Sequence, residues 1–158
     1  MELLIINGPN LNMLGTRQPE IYGHETMESC LEMLKRRYPG IKLTYFQSNS
    51  EGDIIDRIQS TALGQPVDGI ILNAGAYTHT SLAIADAIAS VKTPVVEVHL
   101  SNVMAREEIR RRSLIGPVCR GSIAGFGLDS YRLAVESFIK TAECYPREET
   151  LDEYILSH

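Results

Sequence analysis

Apolar residues recur along this chain in two rhythms, and the rhythms divide it into alternating strands and helices. Leu3–Asn7, Gly69–Asn73 and Val95–His99 are short, almost unbroken apolar runs, the pattern of strands buried on both faces of a parallel sheet. Ile41–Phe46 alternates, with Ile41, Leu43 and Tyr45 on one side, and reads as a further strand; Ser122–Gly125 is a weak fifth. Between them the period lengthens to that of a helix. Thr26 can cap a segment whose inner face carries Met27, Leu31, Leu34 and Tyr38, ended by Pro39-Gly40. Ser48-Asn49-Ser50 opens a second helix with Ile54, Ile55, Ile58 and Ala62, broken at Gly64-Gln65-Pro66. A third, from Thr80 or Ser81, places Leu82, Ala85, Ile88 and Ala89 together, and a last one from Asp129 to about Cys144 buries Tyr131, Val135, Phe138, Ile139 and Ala142. Ala105–Arg112 reads as a short, heavily charged helix. Strict β–α alternation predicts a three-layer α/β sandwich around a five-stranded parallel sheet.

The natural strand order for such a chain is 2-1-3-4-5, the flavodoxin-like arrangement, which puts its switch point between the first and third strands. Ligands of open parallel sheets bind in the crevice beyond the carboxyl ends of the strands. Polar residues gather at those ends: Asn73 and His79 after the third strand, His99 and Ser101 at the end of the fourth. The first strand runs into a long loop, residues 8–24, punctuated by Gly8-Pro9, Gly15, Pro19 and Gly23 and carrying Asn10, Arg17 and Tyr22. A loop of that length in a compact domain is usually a binding loop or lid.

Totals narrow the class of function. With 158 residues, one domain with a substantial core is expected, here residues 1–145, followed by an acidic tail over 146–158. Leu151, Tyr154, Ile155 and Leu156 give that tail roughly helical spacing. The net charge is −5 and no basic run is longer than the three residues of Arg110–Arg112, which argues against nucleic acid as a partner. At 44% hydrophobic and 22% charged residues the chain implies neither disorder nor a membrane span. Met1-Glu2 leads straight into an apolar run with no basic leader, so that run reads as the first strand, in a cytoplasmic protein. Cys30, Cys119 and Cys144 are odd in number and form no CxxC, which fits reduced thiols without a disulfide frame or zinc site.

Each candidate residue has a plain and a chemical reading. Tyr22 either caps the core from its loop or acts as a base. A free phenol is only about 0.1% ionised at neutral pH, but a cation about 4 Å away is worth about 4 kcal/mol at an effective dielectric of about 20, or about three pKa units; Arg17 in the same loop can supply it. Glu97 and His99 share one face of their strand, so the carboxylate can orient the imidazole and hold its proton, as a general acid requires, or the two form a salt bridge over a helix. His79, Thr80 and Ser81 stand at a helix start suited to an anion, where Thr80 or Ser81 also caps. Asn73 is either a satisfied turn amide or a ligand contact. Asp86 interrupts an Ala/Ile repeat, as a solvated residue or an interface partner. Arg110 belongs to a solvated charged face or, if it reaches the crevice, clamps an anion. No GxGxxG, GxxxxGK[ST] or HExxH occurs, and no lysine falls at the carboxyl edge, so neither a nucleotide, a metal nor a Schiff base has support. What remains is acid–base work on an anionic small molecule, without a cofactor. The rivals are a flavodoxin-like binding module, with a phosphate at the Thr78–Ser81 helix start or a flavin, and an inactive assembly protein that keeps the shell without catalysis.

Three stretches, LLIINGPNLNMLGTRQPEIYG, ILNAGAYTHTSLAIADAI and PVVEVHLSNVMAREEIRRRS, closely resemble the type II 3-dehydroquinate dehydratases, in the right order and across residues 1 to about 140. The resemblance implies a flavodoxin-like homododecamer, a tetramer of trimers, that converts 3-dehydroquinate to 3-dehydroshikimate in shikimate biosynthesis or quinate breakdown. It implies Tyr22 as the base and Arg17 as the lid residue depressing its pKa. Asn10 would hold a water against the enolate intermediate, and His99, oriented by Glu97, would protonate the departing hydroxyl. Asn73, His79, Leu100, Ser101 and Arg110 would bind the substrate, and Asp86 would reach the site of a neighbouring subunit. Gln18, Met13 and Ala85 depart from the family's commonest residues, which bears on the lid and the subunit contact.

Overall fold

A computed structural model describes residues 1–16 and 25–139. Five strands, β1 (Glu2–Asn7), β2 (Lys42–Gln47), β3 (Gly69–Asn73), β4 (Val95–His99) and β5 (Gly121–Ala124), form one sheet in the order β2-β1-β3-β4-β5. Every pairing is parallel, with Asn7 opposite Asn73 and Glu97 opposite Ser122. The apolar runs became the central strands for the reason their composition suggests: all residues of β3 and β4 are buried.

The helices close both faces. On one, α1 (Met27–Arg37) and α5 (Asp129–Phe138) cover Leu3, Ile5, Ile71, Val96 and Val98 with Leu34, Tyr131 and Val135. On the other, α2 (Glu51–Ser60) and α3 (Leu82–Ser90) cover Leu4, Ile6, Ile70 and Leu72 with Ile54, Ile58, Ile84 and Ile88. Thr26, Ser50 and Ser81 each cap a helix by accepting the backbone N–H of the residue three further on, Ser29, Asp53 and Ile84.

Several details differ from the sequence reading, the smallest being that Ile41 precedes β2 and that Ala62 lies exposed beyond the end of α2. The buried side of α3 is Ile84, Ala85, Ala87 and Ile88, whereas Leu82 is 67% exposed and Ala89 is exposed too. Capping by Ser81 sets the helix phase, and at 100° per residue Leu82, Asp86 and Ala89 fall on one outward stripe. The charged segment is not one helix over Ala105–Arg112. A 3-10 turn (Val103–Ala105), held by Asn102 accepting from Met104 N–H at 3.1 Å, ends at an extended Arg106, and the single turn α4 (Glu108–Arg111) follows. Gly125 lies outside β5, because its φ of +100° leaves the strand region. Helix α5 stops at Phe138, with Ile139 turned out at φ −82°, ψ 112°; Ala142 and Cys144 lie outside the described residues, as does the tail.

The switch point is drawn tight by a glycine. Gly8 N–H donates to the Asn73 carbonyl at 2.7 Å, and a Cβ on Gly8 would stand 2.6 Å from the Ala74 carbonyl oxygen. That obstacle is backbone and cannot swing aside. Gly8→Ala is therefore expected to cost about 1–3 kcal/mol of stability, as overpacking does; a denaturant midpoint within error of the parent's would show that the two loops separate freely.

Candidate functional site

Beyond the ends of β1, β3 and β4 lies a crevice of about 390 Å³. Its walls include Asn10 and Leu14 from the loop after β1, Asn73 and His79 from the end of β3 and the 3-10 turn after it, and His99, Leu100 and Ser101 from the end of β4. Arg106 and Arg110 complete it. The topology thus unites residues up to 100 positions apart, at the place where open parallel sheets bind ligands.

His99 is the site's best-defined chemical group. It is 8% exposed, and its Nε2 lies 2.8 Å from Glu97 Oε1. Glu97 is 2% exposed and also accepts hydroxyl hydrogens from Ser113, at 2.6 Å, and from Ser122. Burial pushes the Glu97 carboxyl up, but the hydrogen bonds from His99, Ser113 and Ser122, with the charge of His99, outweigh it and hold the group below its ordinary value of 4.5. The sign follows for stability: the contribution of Glu97 is present above its ordinary value and is lost as pH falls through its lowered one. An ionised carboxylate only accepts, so Nε2 of His99 is a donor and Nδ1 is the nitrogen left to exchange a proton. Glu97 itself does not line the crevice; its hydrogen-bonded partner His99 does.

His79 stacks on His99, with ring centroids 6.2 Å apart and planes at 22°. Its Nδ1 is 2.7 Å from the Arg112 carbonyl. A carbonyl can only accept, which fixes the proton on Nδ1 and leaves Nε2 for a ligand. Arg110 donates its Nε to Glu107 Oε1 at 2.6 Å, and Arg106 Nε is 3.8 Å from Glu107 Oε2. The two terminal nitrogens of Arg110 make no hydrogen bond among the described residues. The hydrogen bond from Arg110 in turn holds Glu107 below the usual carboxylate range.

Behind Asn73 runs a buried polar chain that the sequence reading missed. Tyr131 on α5 donates to Asn7 Oδ1 at 2.6 Å and accepts from Asn73 Nδ2 at 3.2 Å. Asn73 Oδ1 accepts Gly75 N–H at 3.2 Å, so Asn73 is a satisfied turn amide and a crevice wall at once. Burial drives the Tyr131 phenol upward against these hydrogen bonds, so it remains a neutral donor and is no base. A polar Asn7 closing an apolar strand was the available signal.

Asn10 holds a left-handed backbone, φ 69°, that asparagine tolerates, and its N–H donates to Asn49 Oδ1 at 3.0 Å. Arg17 and Tyr22 lie outside the described residues, which stop at Thr16 and resume at Glu25. Asp86 is absent from the crevice of its own chain: it stands on the exposed outward stripe of α3. Among the described residues, no group of three or more His, Cys, Asp or Glu could hold a metal ion, and no helix is long and apolar enough to cross a membrane.

Fold and crevice together define a flavodoxin-like α/β protein whose strand ends present a carboxylate-oriented imidazole beside arginines. The family model for dehydroquinase class II matches residues 1–139, and the chain belongs to that family. It is 52% identical over 136 residues to the 3-dehydroquinate dehydratase of Caldicellulosiruptor saccharolyticus, covering 85% of this chain and 93% of that one. Its identity to the 3-dehydroquinate dehydratase of a Nitratiruptor species is 55% over 137 residues, covering 85% and 86%. Among solved structures, the type II dehydroquinase of Butyrivibrio crossotus superposes with a TM-score of 0.82 at 48% identity, covering 87% of this chain and 97% of that one.

Proposed function

We propose that this protein removes water from 3-dehydroquinate to give 3-dehydroshikimate. The observation that carries the reading is the buried Glu97–His99 pair at the crevice wall, an imidazole whose carboxylate partner suits it to act as an acid. Family membership and the names of the relatives support the reaction. The phenolate of Tyr22, its pKa depressed by Arg17, takes a proton from the carbon next to the ketone. The electron pair moves onto the ketone oxygen as an enolate, stabilised by a water that Asn10 holds. The enolate collapses, the carbon–oxygen bond of the neighbouring hydroxyl breaks, and His99 Nδ1 protonates that oxygen as it leaves as water. Asn73, His79, Leu100 and Ser101 bind the substrate's hydroxyls and carboxylate, with Arg110 as an anion contact.

The enzyme serves shikimate biosynthesis or quinate breakdown in the cytoplasm, as a dodecamer in which Asp86 faces a neighbour's crevice. The exposed stripe of Leu82, Asp86 and Ala89 supports that assembly, and light scattering that found a monomer would count against it.

The direct test follows ultraviolet absorbance after 3-dehydroquinate is added, because the conjugated enone of the product absorbs and the substrate does not. A steady rise is expected. No rise from a folded, assembled sample would overturn the reading and leave a binding module. In the same assay Arg110→Ala should raise KM about ten- to a hundredfold, the worth of a charge-assisted hydrogen bond; an unchanged KM would remove Arg110 from the binding set.

A further inference from the structure

The carboxylate behind His99 is held from three directions, and two of the holders lie outside the crevice wall. Ser122 sits directly opposite Glu97 in the β4–β5 register, so their side chains share one face of the sheet, and its hydroxyl reaches Glu97 Oε2. Ser113, in the segment after α4, donates to Oε1 at 2.6 Å while its own oxygen accepts Gly116 N–H at 2.8 Å. That second bond turns the serine hydrogen toward the carboxylate. Gly116 closes the remaining side: a Cβ there would lie 3.0 Å from Glu97 Oε2 and 3.2 Å from Ser113 Oγ. The groups packed around Glu97 leave few rivals for its charge. On its own strand there is His99, and from β3 the apolar Leu72. Cys119 also feels Glu97, but its thiol, pushed up to about 12 by burial first and by the Glu97 charge second, is neutral at physiological pH.

We propose that Ser113 and Ser122 are positioning residues for the dehydration: they keep Glu97 ionised and fixed, so that Oε1 retains the Nε2 hydrogen of His99 and Nδ1 stays free to carry the proton to the substrate. The proposal rests on the reading of His99 as the acid. Removing either hydroxyl leaves burial less opposed, so Glu97 takes up a proton at higher pH. A protonated Glu97 no longer supports the imidazolium, and the acid limb of the activity profile rises with it.

Ser122 is the cleaner site for the test, since it is exposed at the sheet edge and bonds nothing else among the described residues, whereas Ser113 also secures a turn. Two measurements are made on the assembled protein for the parent, Ser122→Ala, Ser122→Thr and Ser113→Ala. One is the titration of the Glu97 carboxyl by carbon-13 NMR without substrate; the other is the pH profile of kcat/KM for 3-dehydroquinate. Each alanine variant should raise the Glu97 midpoint by about one pH unit or more, as a lost hydrogen bond to a charged group implies. The acid limb should follow by a similar amount, and Ser122→Thr should restore both. A Glu97 midpoint unchanged in both alanine variants would overturn the proposal. So would a midpoint that moves while the acid limb stays in place. If the parent itself dehydrates nothing, the reading of the function falls, and the NMR titration by itself still decides whether the serines hold the charge.

Discussion

His99→Ala is expected to lower kcat for dehydration by about two to four orders of magnitude, the usual worth of a positioned general acid. The fold should survive, because His99 belongs to neither apolar cluster and stands at the last position of β4. Glu97 would keep its two serine donors but lose the imidazole, so its carboxyl would move up and the variant would lose stability at mildly acidic pH sooner than the parent. KM should change little if the hydroxyl is lost only in the transition state. A fall of less than about tenfold would mean that another group protonates the leaving oxygen. His79 is the neighbour to suspect, with its ring 6.2 Å away and Nε2 uncommitted among the described residues. Steady-state absorbance kinetics at several pH values separates these outcomes.

Tyr22→Phe should be as severe, with kcat reduced about a thousandfold or more and substrate still bound. The size follows from the chemistry asked of the phenol. A proton next to a ketone is weakly acidic, and a base must be both ionised and in contact with it. Two of the described tyrosines, Tyr131 and Tyr45, are poor substitutes, since burial raises both above the ordinary phenol value. Phenylalanine keeps the ring, so loss of loop packing alone would not mimic the result. Equal rates in the two proteins would preserve the reaction and remove the tyrosine from it. Binding of a product-like ligand by calorimetry, unchanged in the variant, would complete the case that chemistry and not affinity was lost.

The centre of the sheet was legible because its three strands are short apolar runs between Gly, Pro and Asn breakers, a signal that tertiary context had no reason to override. The Glu97–His99 pair was legible for a related reason: two residues apart on a strand means one face, whatever surrounds it. The phase of α3 was harder. Ala and Ile are spread so evenly around it that more than one side can pass for the inner one, and only the Ser81 cap and the packing on β3 and β4 decide. Short turns such as Val103–Ala105 leave too little period to read. The partners of Glu97 and Asn7 were out of reach of any local pattern. Ser113 and Ser122 lie 16 and 25 residues from the carboxylate, and Tyr131 lies 124 from the asparagine it donates to. A lone serine in a weak strand has no periodicity to declare it. Once the register pairs Ser122 with Glu97, its role is plain.

Tyr131 has a consequence for how this domain can be cut or rearranged. Its hydroxyl ties helix α5, the last described element, to the ends of β1 and β3, so the support behind Asn73 in the crevice wall comes from the far end of the sequence. Trimming the chain before Asp129 would leave all five strands but strand two buried amides, Asn7 and Asn73, without their shared partner. A shortened version would forfeit the support behind Asn73 together with a helix, and new termini made by circular permutation belong on the opposite rim, at the amino ends of the strands.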